Sequence, residues 1–282
     1  MNKLRYSLGV AGNPIDHSLS PSIHTAFAQA QGDDVDYQRF LFELNRFNEQ
    51  ASAFFHRGGL GLNVTVPFKR HAFKFAQQLD DTAAAAGAVN TLAMQNGEVV
   101  GYNTDGIGLI NDLQQRCGVS VSGASLLILG AGGACQGIIH PLLDAGAERV
   151  YIANRTMARA QSLVANLTGE QSTRVQALDI SGIENDHPSV GLVINSTALG
   201  LEAGGLQALN DLPSGLVEGR CCYDLSYGKQ AQFAQWAKMN GASRSFDGLG
   251  MLVEQAAESY AIWMGSKPHT EAVYEYLRKA VA

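Results

Sequence analysis

The stretch Ser125-Leu126-Leu127-Ile128-Leu129-Gly130-Ala131-Gly132-Gly133-Ala134 decides how this chain is read. Leu126 to Leu129 is an unbroken apolar run, the pattern of a strand buried on both faces in a parallel sheet covered by helices. Glycines follow at once, Ala134 to Ala145 has helical periodicity, and Gly146 stops it. Arg149-Val150-Tyr151-Ile152-Ala153 then reads as the next strand. In such a strand, turn and helix unit, backbone N–H groups approach a pyrophosphate, and the helix N-terminus adds partial positive charge. Gly130, Ala131, Gly132, Gly133 and Ala134 are therefore candidate contacts for a dinucleotide. The fingerprint GxGxxG is incomplete, because Cys135 stands in the third glycine position.

Composition bounds the rest. At 282 residues the chain has room for roughly two domains, and 46% hydrophobic residues can supply their cores. Twenty Lys and Arg against 26 Asp and Glu leave a net charge of −6, which argues against a nucleic-acid partner. No apolar run approaches the ~20 residues that span a bilayer, and the N-terminus lacks a signal-like apolar core, so no membrane is involved and a cytoplasmic protein is expected. Cys117, Cys135, Cys221 and Cys222 lack CxxC or ligand spacing and read as reduced packing residues. No metal site is read, and His17 and His24 are taken as surface or packing histidines.

The first part of the chain alternates strand and helix. Tyr6 to Gly12 is a strand, and Ser20-Pro21 supplies an N-cap and first-turn proline for a helix to about Ala30. Strands are expected at Tyr37 to Phe42 and Leu60 to Val66, with a helix from Asn45 to about Arg57 between them. Lys69 to Leu79 and Asp81 to Ala86 look helical, and Asn96-Gly97 turns a hairpin between Val89 to Met94 and Glu98 to Tyr102. Helix Gly106 to Gln115 leads to strands near 126–129, 149–153, 175–178, 190–195 and 220–224, a doubly wound pattern. The segments 179–188 and 200–219 read as loops, and helices Gly250 to Met264 and His269 to Val281 end the chain. The fold class is α/β, with an N-terminal α/β domain and a doubly wound Rossmann-type domain.

Polar residues gather where strands of the first part end: HSLSPSIH at 17–24, NVTVPFK at 63–69, GAVNT at 87–91 and GYNTDG at 101–106. Loops at strand ends present such side chains to ligands. Helix capping by Ser20, a solvated Lys69 and Asx-type turns are the plain alternatives.

Together with LGAGGA, NRT at 154–156 and GLGMLVEQAA at 248–257, in this order, these stretches resemble the shikimate/quinate dehydrogenase family over nearly the whole chain. The resemblance implies reversible reduction of 3-dehydroshikimate to shikimate by NADPH, in chorismate and aromatic amino-acid biosynthesis. It assigns catalysis to Lys69 and Asp105, and substrate contacts to Ser18, Ser20, Thr65, Lys69, Asn90, Asp105, Tyr227 and Gln255. It adds Thr197, Leu225 and Gly248 on the cofactor side. It also implies a discontinuous substrate domain, 1–105 plus 248–282, around an NADP-binding domain, 106–247. The departure at Cys135-Gln136 bears on the phosphate contacts. The alternatives are a quinate/shikimate enzyme using NAD and a non-catalytic ligand-binding relative. Monomer and homodimer stay equally open.

The residues themselves accord with that chemistry. Hydride delivery to a ketone builds charge on its oxygen, so a proton donor such as Lys69 must reach that oxygen, and a carboxylate neighbour favours the ammonium form of a lysine. An NAD enzyme of this fold carries Asp or Glu at the end of the second strand. This chain has Asn154, Arg155 and Thr156 there, with Arg159 a turn on, groups that suit a 2′-phosphate and hence NADP.

Overall fold

The computed structural model describes residues 5–180, 183, 189–197, 209 and 211–281. Of the loops read at 179–188 and 200–219, residues 181–182, 184–188, 200–208 and 210 lie outside these. The chain divides into two compact units: Met1–Gly108 with Leu252–Tyr276, and Leu109–Met251 with Leu277–Ala282.

The first unit is built on a sheet of β1 (Tyr6–Gly12), β2 (Val35–Leu41), β3 (Gly59–Val64), β4 (Gln78–Leu79), β5 (Thr91–Gln95) and β6 (Glu98–Tyr102), in the order β2-β1-β3-β5-β6-β4. β1 pairs in parallel with β2 and β3, whereas β5 runs antiparallel to β3 and β6. Helices α1 (Ser20–Gln31), α2 (Phe47–His56), α3 (Lys69–Phe75) and α4 (Asp81–Ala86) connect these strands. The hairpin turn is as read, with Asn96 and Gly97 both at positive φ. One apolar cluster gathers Phe42, Phe47, Phe54, Leu62, Phe68 and Leu92, and a second gathers Leu8, Val10, Tyr37, Ala93 and Trp263. Each fully buried side chain of this kind contributes about 1.5–3 kcal/mol.

The second unit holds β7 (Ser125–Leu129), β8 (Arg149–Asn154), β9 (Val175–Asp179), β10 (Leu192–Asn195), β11 (Cys221–Asp224) and β12 (Arg244–Asp247), all parallel, in the order β12-β11-β10-β7-β8-β9. Counted from β7 this is the dinucleotide-fold order 3-2-1-4-5-6, with its switch point between β7 and β10. Leu126 to Leu129 are all 0% exposed, as a strand buried on both faces must be. Helices α5 (Asp105–Gln115), α6 (Gly133–Asp144), α7 (Met157–Ala165), α8 (Gly169–Thr173), α9 (Gln232–Met239), α10 (Leu249–Met264) and α11 (Glu271–Val281) complete the chain. Among the described residues no helix is long and apolar enough to cross a membrane.

Several local expectations change. The helix read over Lys69 to Leu79 stops at Phe75, because Gln78 and Leu79 pair with Val100 and Gly101 as a short strand. β12 has no counterpart in the sequence reading: Arg244-Ser245-Phe246-Asp247 carries a single apolar residue and becomes a strand by pairing with β11. Ser20 is not the N-cap of α1. Leu19 occupies that position without a side-chain cap, and Ser20 is already helical. Residues 277–282, read with the first domain, group with the second unit, where Arg278 donates to both oxygens of Asp247 at 2.7 and 2.6 Å.

Candidate active site

In the first unit the carboxyl ends of β1, β3 and β6 and the start of antiparallel β5 share one edge of the sheet. That edge carries Ser18 and Ser20 beyond β1, Thr65 and Lys69 beyond β3, Asn90 just ahead of β5, and Asp105 beyond β6.

Lys69 opens α3 after the cis Val66-Pro67 peptide, with Phe68 buried beside it and the Lys69 carbonyl accepting from Val89 N at 3.0 Å. A helix N-terminus disfavours a cation. The position is sustained by Asp105, whose Oδ2 accepts from Lys69 Nζ at 2.5 Å. Asp105 itself opens α5, where the same dipole favours a carboxylate. Asp105 Oδ1 accepts from Asn90 Nδ2 at 2.9 Å, so both carboxylate oxygens are held. The Lys69 side chain remains 25% exposed against 10% for Asp105, which leaves the ammonium reachable by a ligand.

Asn90 ties the site to its frame. Its Oδ1 accepts from Thr104 N at 2.9 Å, and Gln255 Oε1, carried on α10, lies 3.3 Å from its Nδ2. Thr104 Oγ1 donates to the Gln255 carbonyl at 3.0 Å, and Asp105 N donates to Asn103 Oδ1 at 3.1 Å. The Asx-type turn offered as the plain alternative for GYNTDG is therefore present, and it positions Asp105.

Beneath lies a buried layer that the sequence reading did not assign. Asn63 Nδ2 reaches Thr91 Oγ1 at 3.1 Å and Ser259 Oγ at 3.0 Å, and Asn63 Oδ1 accepts from Tyr37 OH at 2.7 Å. The signal was an asparagine between Leu62 and Val64 in a buried strand, since a buried amide has to find partners. His24, 0% exposed, stacks on Tyr37 with ring centroids 4.3 Å apart, and neither ring nitrogen makes a hydrogen bond. Burial drives its pKa down to about 3, with Asn63 nearby opposing weakly. It is a packing histidine, as read, whereas His17 is exposed.

Ser18 and Ser20 stand side by side, with Ser18 Oγ donating to Ser20 Oγ at 3.2 Å. Arg39 Nε and Nη2 donate to the Ser18 carbonyl at 3.1 and 2.6 Å and hold that loop. Ser18 Oγ also accepts from Ser20 N, the first residue of α1, at 3.3 Å, and Ser20 is buried. Thr65 is half-buried, and its hydroxyl has no hydrogen bond among the described residues. Tyr227 belongs to the second unit, where burial raises its hydroxyl pKa.

In the second unit Gly130 has φ +101°, and a Cβ there would meet Thr197 Cγ2 at 2.6 Å and Ser196 Oγ at 2.9 Å. Geometry demands glycine at this position. Gly132 and Gly133 differ: their backbones need no glycine, and among the described residues a Cβ on either would meet nothing within 4 Å. The room is the kind a pyrophosphate takes. α6 begins there with Gly132 as N-cap and no side chain capping it, so the loop fits a dinucleotide phosphate. Cys135 points the other way: it is 0% exposed in the core with Ile138 and Leu142, and burial pushes its thiol up to about 12. The third glycine position thus serves helix packing here, with the Cys135 side chain turned into the core.

β8 ends at Asn154, whose Nδ2 donates to Thr156 O at 2.9 Å. Thr156 sits at the N-cap of α7 without capping it, and Arg155 and Arg159 are exposed with no carboxylate partner among the described residues. Thr197, Leu225 and Gly248 follow the carboxyl ends of β10, β11 and β12. A Cβ on Gly248 would lie 2.3 Å from the Leu225 carbonyl oxygen, so the backbone approach here requires glycine at 248. Among the described residues no group of three or more His, Cys, Asp or Glu side chains could hold a metal ion.

Shikimate dehydrogenase (NADP(+)) from Ruthia magnifica is 45% identical to this chain over 97% of its length and 99% of the relative's. The chain belongs to the shikimate dehydrogenase family. The same-named protein of Halorhodospira halophila is 48% identical over 95% of this chain and 97% of its own. Family models match in order: the shikimate dehydrogenase substrate binding domain at residues 10–92, shikimate / quinate 5-dehydrogenase at 112–201, and the shikimate 5'-dehydrogenase C-terminal domain at 248–278. Shikimate dehydrogenase from Aquifex aeolicus superposes with a TM-score of 0.84 at 31% identity, covering 99% of each chain. Family membership makes the chain an NADP-dependent oxidoreductase of α/β, two-domain Rossmann-type architecture.

Proposed function

We propose that the chain reduces 3-dehydroshikimate reversibly to shikimate with NADPH, as a cytoplasmic step of chorismate and aromatic amino-acid biosynthesis. The observation that carries this reading is the Lys69 and Asp105 pair at 2.5 Å, held by Asn90 and left partly open on the lysine side. NADPH, when bound, supplies the hydride. Lys69 Nζ gives its proton to the carbonyl oxygen as negative charge develops there, and in the reverse direction the neutral amine takes it back. Asp105 keeps the ammonium in place and, with Asn90, Thr65 and Gln255, reads the ring hydroxyls. Ser18 and Ser20 offer two neutral donors to the carboxylate, and Tyr227 adds a further substrate contact.

Gly130 to Ala134, with Thr197, Leu225 and Gly248, would hold the cofactor pyrophosphate. Arg155 and Arg159, with Asn154 and Thr156, take the 2′-phosphate. In this reading the first unit, Met1–Gly108 with Leu252–Tyr276, is the substrate domain and the second the NADP domain. Four unpaired, buried cysteines suit a reducing compartment.

The test is formation of reduced nicotinamide by purified protein with shikimate or quinate and with NADP+ or NAD+. Turnover of shikimate with NADP+ well above the other combinations supports the reading, and preference for quinate or NAD+ rejects it. Lys69→Ala should lower kcat about 100- to 10,000-fold, the usual contribution of a positioned proton donor. A kcat within about twofold of the parent removes Lys69 from that role.

A further inference from the structure

Behind the glycine loop of the second unit lies a buried carboxylate with no part in the chemistry above. Asp224 ends β11 and Asn195 ends β10, opposite each other in register and both 0% exposed. Asp224 Oδ1 accepts from Asn195 Nδ2 and from Ser226 N, each at 3.0 Å. Asp224 Oδ2 accepts from Phe233 N at 3.1 Å and Ala234 N at 3.3 Å, in the first turn of α9. All four partners are N–H donors, the surroundings of an anion rather than of a carboxylic acid. Burial pushes the carboxyl up to about 6 and these donors oppose it.

The second end of the Asn195 amide faces the cofactor loop. Asn195 Oδ1 accepts from Thr197 N at 3.1 Å and from Thr197 Oγ1 at 2.6 Å. A backbone N–H can only donate, so the amide oxygen must face Thr197 and the amide nitrogen must face an acceptor, which Asp224 provides. Thr197 in turn presses its methyl group on Gly130, whose missing Cβ would sit 2.6 Å from it. A hydrogen-bonded line therefore runs from Asp224 through Asn195 to Thr197, whose methyl group packs on the first glycine of the loop.

Building on the proposed function, we infer that Asp224 is a positioning residue for the cofactor: by orienting the Asn195 amide it holds Thr197 against Gly130 and shapes the cradle for the NADP pyrophosphate. It touches neither substrate nor cofactor.

The experiment measures NADP+ dissociation constants by calorimetry on the full chain, for the parent, Asp224→Asn, Asn195→Ala and the double variant, together with kcat at saturating NADP+ and KM for shikimate. An Asn at 224 sets an amide against four donors and cannot accept from all of them. Each single variant should weaken NADP+ about tenfold, the worth of one hydrogen bond to a charged group, with kcat at saturation and shikimate KM within about threefold of the parent. The double variant should be no weaker than the worse single variant, because both act through one line. A folded Asp224→Asn protein that binds NADP+ like the parent overturns the inference, as do penalties that multiply. Should Asp224→Asn fail to fold, Asn195→Ala decides alone, since it leaves Asp224 three backbone donors. A parent that does not bind NADP+ overturns the functional reading itself, and this inference with it.

Discussion

Replacing Gly132 by Ala separates what the fold requires of the glycine loop from what a ligand requires. Gly132 has φ −94° and ψ −171°, extended backbone open to any residue, and among the described residues its Cβ would meet nothing within 4 Å. The folded state then loses nothing, and the stiffer unfolded chain makes the variant equal to the parent or about 0.4–1 kcal/mol more stable. Gly130→Ala is the internal contrast. It forces a side chain into φ +101° against Thr197 and Ser196 at 2.6 and 2.9 Å, and should cost about 1–3 kcal/mol. For binding, the added methyl of Gly132→Ala stands in the open space before the N-terminus of α6. Losing one hydrogen bond to a charged phosphate is worth about 1.5–3 kcal/mol, or roughly a ten- to hundredfold rise in the NADP+ dissociation constant. Urea denaturation reads the first quantity and calorimetric titration the second. Unchanged NADP+ affinity in Gly132→Ala would refute the assignment of that space to the pyrophosphate, and a loss of stability equal to that of Gly130→Ala would refute the account of the loop.

Arg155→Ala should raise KM for NADP+ at least about tenfold with little change for NAD+, because the exposed guanidinium serves only the 2′-phosphate; equal changes for the two cofactors, measured by initial rates, contradict this. Replacing both Ser18 and Ser20 by Ala should raise KM for shikimate far more than it lowers kcat; an unaltered KM leaves the pair without a role. His24 makes the fold acid-sensitive. Its folded pKa of about 3 lies below the ordinary 6.5, so its contribution is complete above about pH 6.5 and is lost as pH falls toward 3, a span worth roughly 4–5 kcal/mol. Asp224, raised to about 6, works in the opposite sense but is common to parent and variant. His24→Leu should therefore show a shallower loss of unfolding free energy between pH 7 and 4.5 than the parent, and parallel curves reject the assignment.

Local sequence determined the elements wherever a single segment carries its own pattern. Leu126 to Leu129, the Asn96-Gly97 turn and the Asp80 cap on Ala83 N at 2.9 Å specify strand, hairpin and helix start without help from distant residues. The polar clusters at strand ends were legible as well, whereas the individual roles of Lys69, Asp105, Tyr227 and Gln255 followed only from the family resemblance. Tertiary pairing decided the rest. β12 and the short β4 exist because a neighbouring strand offers hydrogen bonds, and the identity of Arg244 to Asp247 says nothing of that neighbour. Ser20 lost its role as a cap, and Asn63, Ser259 and the Asp224 to Thr197 line emerged, for the same reason. A buried polar group is defined by its partners, and those partners lie up to 196 residues away in the chain, as Ser259 does from Asn63. Sequence spacing describes which groups are available. Only the folded backbone determines which donor meets which acceptor once water has been excluded.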